Sequence, residues 1–131
     1  MIEELSGVTP ALVRLSLDAL LLRHEVIAHN IANVSTEGYT SKKVAFEEYL
    51  SAFSLDTATS ADKNTLRQEV DSISQLIESK DELVYSTGEA VEIDKEMIEL
   101  TETVLKYRAL LEANSKRGEI MRMAIRGRGG Q

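Results

Sequence analysis

The side chains of widest chemical range in this sequence are two histidines, His24 and His29. On a helix of about 3.6 residues per turn, a five-residue separation puts them ~140° apart, too far round the axis to share a metal ion. Each falls on an apolar row, which favours packing or interface roles over ligation or proton transfer. The pairs Glu47–Glu48 and Asp81–Glu82 have the groups for acid–base work. Neighbouring residues on a helix point apart, however, and these lie among many solvated charges. Cysteine is absent, which removes thiol nucleophiles, thiolate zinc sites and disulfides together. The glycines form neither a dinucleotide fingerprint nor a phosphate loop, and there is no Gly-x-Ser-x-Gly elbow. The reading is therefore of a chain that is not an enzyme, with no catalytic, metal or cofactor-binding residues and no small-molecule substrate.

Composition narrows the class further. The 131 residues are 43% hydrophobic and 28% charged, with two Phe, four Tyr and no Trp, enough for one modest domain with an aliphatic core. The net charge of −7 is unevenly spread: after residue 105, Lys106, Arg108, Lys116, Arg117, Arg122, Arg126 and Arg128 meet only Glu112 and Glu119. The acidic bulk disfavours nucleic acid. The basic end lies on a helical pattern and suits the C-terminal end of a helix dipole. The apolar run at Ala19 to Leu22 is far short of the ~20 residues that span a bilayer. Met1 to Gly7 carries Glu3 and Glu4 and reads as no Sec-type leader, so a protein of this kind that leaves the cytosol is expected to do so by another route, without a cleavable signal.

Two long helical patterns bracket a polar centre. Thr9–Pro10 reads as an N-cap and first helical position. From there, Leu12, Leu15, Ala19, Leu22 and Val26 form one row in steps of three and four. A second row, Val13, Leu17, Leu20, Ile27, Ile31 and Val34, runs beside it. Ser35 to Tyr39 ends the helix, with Gly38 suited to positive φ. Phe46, Tyr49, Leu50 and Phe53 predict a short helix, although Tyr39 to Phe46, with Thr40, Val44 and its lysine pair, also fits an extended stretch; Ser54 to Asn64 predict a loop, and Leu66, Val70, Ile73, Leu76 and Ile77 an amphipathic helix. Ile93–Asp94 with Ile98 fits a hydrophobic staple round an aspartate N-cap. Met97, Leu100, Val104, Tyr107, Leu111, Met121 and Ile125 then hold one register, interrupted at Asn114 and Gly118.

The expected fold is mainly α. The long N- and C-terminal amphipathic helices pack as an antiparallel coiled coil, joined by a short irregular or helical middle. The expected divisions are 1–34, an N-terminal core helix; 35–93, a connecting segment with a turn motif; and 94–131, a C-terminal core helix with a basic tail. A helix pair hides only part of the two-row N-terminal face, so the remainder calls for other copies. Leu15, Leu22, Val26, Leu100, Val104 and Leu111 are the expected assembly contacts. The competing reading is a cytosolic helical adaptor or chaperone that hides its stripes in an antiparallel coiled-coil dimer.

The run Asn30-Ile31-Ala32-Asn33-Val34-Ser35-Thr36-Glu37-Gly38-Tyr39 resembles the N-terminal signature of bacterial flagellar rod, hook and hook-associated proteins, close to N-[IL]-A-N-x-x-T-P-G-Y. Asn30, Ile31, Ala32, Asn33, Thr36, Gly38 and Tyr39 match; Glu37 replaces the common proline and Ser35 a common aspartate. Gly88-Glu89-Ala90-Val91-Glu92-Ile93-Asp94-Lys95-Glu96-Met97 is similar to the boundary that opens the C-terminal helix of rod proteins, G-N-x-V-D-[LI]-x-x-E-M, with Glu89 in place of asparagine. Lys106 to Leu110 and Met121 to Gly127 are similar to the ending of the proximal rod subunit. The resemblance implies a structural rod subunit of the basal body, exported by the flagellar type III apparatus into the periplasm. It would polymerise through its terminal helices, link the membrane ring and export gate to the distal rod, and transmit torque. The partners it implies are further copies of the chain, the adapter FliE and the rod subunits FlgC and FlgF.

Overall fold

The computed structural model describes residues 2–46 and 63–129. Helix α1 (Ile2–Ala32) is followed by strand β1 (Lys42–Val44), helix α2 (Lys63–Ser79), strand β2 (Val84–Ser86) and helix α3 (Ile93–Arg128). The chain is mainly helical, as expected, but its middle also holds a strand pair. β1 and β2 run antiparallel with Lys42 opposite Ser86, Lys43 opposite Tyr85 and Val44 opposite Val84. The short helix expected round Tyr49 to Phe53 lies outside the described residues, as does the expected loop up to residue 62; Lys63 and Asn64 are already helical.

α1 begins before the expected start, and Pro10 lies inside it. Proline's fixed φ is compatible with helix, and the sequence signal at Thr9–Pro10 marks a missing donor rather than an end. The two apolar rows of α1 face different partners. Leu15, Ala19 and Leu22 are buried with Phe46, Val70, Ile73, Ile77 and Leu83 in one cluster, flanked by Leu12 and Val26. α2 thus covers much of the first row from within the chain. The second row turns toward α3: Leu20, Leu21 and His24 line a crevice with Thr103, Val104, Tyr107 and Arg108, while Asn30 bonds Glu96 further along. The two long helices therefore lie side by side and run in opposite senses.

The inward face of α3 is rotated from the apolar register read in the sequence. Its buried residues are Glu96 and Thr103, whereas Met97 is 49% exposed and Leu111 44%. Glu96 turns inward because Asn30 and Ser41 donate to it. Thr103 can be buried because its hydroxyl donates to Glu99 O at 2.7 Å, leaving its methyl to pack. The helix starts with Glu92 as its extended N-cap, so Asp94 lies in the first turn with Glu96. There both carboxylates oppose the positive end of the helix dipole.

Candidate functional site

The two signature segments meet at one place. Asn30 lies in the last turn of α1 and Asn33 just past its end; the turn there is closed by Thr36 N donating to Asn33 O at 2.9 Å and Tyr39 N to Thr36 O at 3.2 Å. The Asn33 side-chain amide donates to His29 O at 2.8 Å, beside the backbone bond from Asn33 N to the same carbonyl at 3.1 Å, and Thr36 Oγ1 donates to Asn33 Oδ1 at 3.2 Å. Gly38, at φ +75, reverses the chain so that Tyr39 folds back over α1.

Asn30 is 1% exposed and every polar valence it has is used. Its Oδ1 accepts from Tyr39 OH at 2.9 Å and from Lys42 N at 3.0 Å. Its Nδ2 donates to Lys42 O at 2.8 Å and to Glu96 Oε2 at 3.1 Å, with Ser41 Oγ at 3.4 Å beside them. The side-chain amide thus pairs with both main-chain groups of Lys42, as a neighbouring strand would. Lys42 and Ser86 are a non-hydrogen-bonded pair of the β1–β2 ladder, so these groups point away from β2, and Asn30 satisfies the edge that would be left bare. Only a carboxamide both accepts and donates in this way; an aspartate side chain lacks the donors.

Glu96 completes the junction from α3. Its Oε1 accepts from Ser41 Oγ at 3.2 Å, and it is 5% exposed. Ser41 is itself held by the second motif: its N donates to Glu89 O at 2.8 Å, and its carbonyl accepts from Thr87 N at 2.9 Å and Thr87 Oγ1 at 3.0 Å. A regular ladder would return Ser41 N to Thr87 O; the left-handed turn at Gly88, φ +74, presents Glu89 O instead. On the outer side, Tyr39 OH lies 2.9 Å from His29 Nδ1. With the tyrosine proton given to Asn30, His29 is the donor in that bond. Burial, aided by the nearby Glu96 carboxylate, raises the Tyr39 hydroxyl above its ordinary pKa.

The structure brings together Asn30, Asn33, Thr36, Gly38 and Tyr39 of the expected turn motif, while Ala32 is exposed and outside the network. Of the expected assembly contacts, Leu15 and Leu22 are in the chain's own core. Val26, Leu100 and Val104 are half-buried, and Leu111 is 44% exposed. Neither histidine is packed away: both are exposed. Ser41 and Glu96 were missed as site residues, although Glu96 sits in the boundary pattern beside Met97. The polar network is a clamp between segments distant in sequence, built to hold geometry. Among the described residues no group of three or more His, Asp or Glu side chains is placed to hold a metal ion, and no helix is long and apolar enough to cross a membrane.

Residues 17–40, which include Asn30 and the turn, match the family described as Flagella basal body rod protein. No curated protein matches the chain, and no solved structure does. The match supports the rod protein family and, at that level, a structural role in the flagellar basal body alongside other rod components.

Proposed function

We propose that this chain is a structural subunit of the proximal rod of the bacterial flagellar basal body, of the FlgB type. Residues 1–34 and 94–131 form its rod core as an antiparallel coiled coil, and 35–93 connect them. It reaches the periplasm through the flagellar type III apparatus and polymerises with itself and with FliE, FlgC and FlgF, linking the export gate and membrane ring to the distal rod. Leu15, Leu22, Val26, Leu100, Val104 and Leu111 contribute to the assembled core, the buried ones by fixing the helices that present the exposed ones.

The observation that carries this reading is the Asn30–Glu96 contact. The N-terminal motif, inside the stretch matching the rod family, is closed by a residue of the C-terminal boundary motif, so the two resemblances describe one site. A subunit that transmits torque must resist sliding between its two long helices, and a saturated polar clamp at their joined end supplies that resistance. The test is fractionation. In a strain lacking the gene, a tagged copy should restore swimming and co-purify with hook–basal bodies. Recovery solely as a soluble small oligomer, with swimming unaffected by its loss, would replace this reading with the adaptor one.

A further inference from the structure

A groove of about 670 Å³ runs between α1 and α2, adjoining at Leu21 the crevice that α1 shares with α3. Its floor is apolar, formed by Leu15, Leu22, Val70 and Ile77. Its rim is acidic: Asp18, Glu25, Asp71 and Glu78 stand against Arg14 and Lys80. Lys80 is held by Glu25 at 2.8 Å, which leaves Asp18, Asp71 and Glu78 facing Arg14. Along α1 the groove extends from Pro10 to Glu25, ~22 Å at 1.5 Å per residue.

The last turns of α3 have the complementary character. Ile120 is 63% exposed and Met123 64%. On a helix these two share a stripe with Lys116 and Gly127, flanked by Arg126 on one side and by Arg117 and Arg128 on the other. The stretch from Lys116 to Arg128 is ~18 Å long, which fits the groove. Its own chain cannot place it there, because α3 continues unbroken to Arg128.

We propose that the α1–α2 groove of one copy receives the basic C-terminal stretch of α3, residues 116–128, from a second copy. This rests on the rod-subunit reading and names the surfaces of its self-contact. Donor and acceptor surfaces differ, so each copy gives and receives at once. Such a heterologous contact propagates along a helical path instead of closing as a two-fold dimer. Arginines over carboxylates set the register, and Ile120 and Met123 cover the apolar floor.

The chain lacks cysteine, which makes disulfide trapping clean. Full-length Asp71→Cys and Met123→Cys variants are mixed under mild oxidation, with Glu102→Cys, ~32 Å back along α3 at 1.5 Å per residue and outside the 116–128 stretch, replacing Met123→Cys as the control. A mixed disulfide dimer should form well above the control. Arg126→Glu with Arg128→Glu on the Met123→Cys chain should lower its yield roughly tenfold. Asp18→Lys with Glu78→Lys on the Asp71→Cys chain should restore it. Yields equal to the control, or reversal without rescue, would overturn the groove contact. So would a double-cysteine chain that bridges only within itself. If the chain is present in hook–basal bodies yet the pair does not cross-link, the groove contact is wrong and the rod reading stands. If the pair cross-links with rescue and the chain is absent from basal bodies, the contact stands and the rod reading falls.

Discussion

Replacing Asn30 with aspartate keeps its size and reverses its chemistry. The donors to Lys42 O and Glu96 are lost, and two carboxylates face each other in a buried site. The expected cost at neutral pH is about 3 kcal/mol, measured by urea unfolding. Like charges repel only while both carboxylates are ionised, so the penalty is smaller in acid and grows as pH rises toward neutral. Asn30→Ala should be destabilised at pH 4 as well as pH 7; a matching pH-independent loss in the aspartate variant would argue against the contact with Glu96. Tyr39 titrates in the opposite range. Its hydroxyl is raised above the ordinary value of 10.0 by burial and by Glu96, so the stability it contributes is present below pH 10 and lost as the pH climbs through the folded value. Tyr39→Phe should flatten the alkaline limb of the stability curve, and an unchanged limb would mean the hydroxyl is not held. Asn33 and Thr36 were legible as local caps because their partners lie within one turn. Glu96 was not, because its partners Asn30 and Ser41 are distant in sequence and invisible to periodicity.

Helix α3 passes through Gly118, where a side chain would meet nothing within 4 Å. Gly118→Ala should raise stability by about 1 kcal/mol in thermal unfolding, by removing backbone freedom from the unfolded chain. Gly38→Ala, at φ +75 in equally open space, should instead lose about 1–2 kcal/mol, since the strain is in the backbone. A gain at both positions would contradict the left-handed turn. The rows of α1 were readable because both are long and aliphatic. What they face was not readable, since α2 could cover the first row only once Phe46, Val70, Ile73 and Leu83 converged on it. The face of α3 was misread because counting apolar residues gives no weight to a glutamate and a threonine that bury themselves with partners. The first strand falls within the extended stretch readable at Tyr39 to Phe46, but its partner was not readable, because β2 is three residues long, too short for alternation, and pairs with residues about a third of the chain away.

Two leucines separate folding from assembly. Leu22 is 4% exposed and Leu111 is 44% exposed. Leu22→Asp should cost the isolated chain about 4 kcal/mol or more, through the cavity and an unpaired charge. Leu111→Asp should cost about 1 kcal/mol or less yet still prevent incorporation into the rod and abolish swimming. Normal swimming with Leu111→Asp would remove that residue from the assembled core. The location of the Asn30–Glu96 clamp also governs how the subunit yields to force. Because the long helices run in opposite senses, their Ile2 and Arg128 ends both lie away from the clamp, ~42 and ~48 Å along the two axes at 1.5 Å per residue. Traction on these two ends would peel the pair apart like a zipper from its open mouth, one contact at a time, and would reach the amide–carboxylate clasp last. A load directed along the axes would instead strain every contact in parallel, so the molecule should be compliant when drawn out by its ends and stiff when pushed or twisted in place.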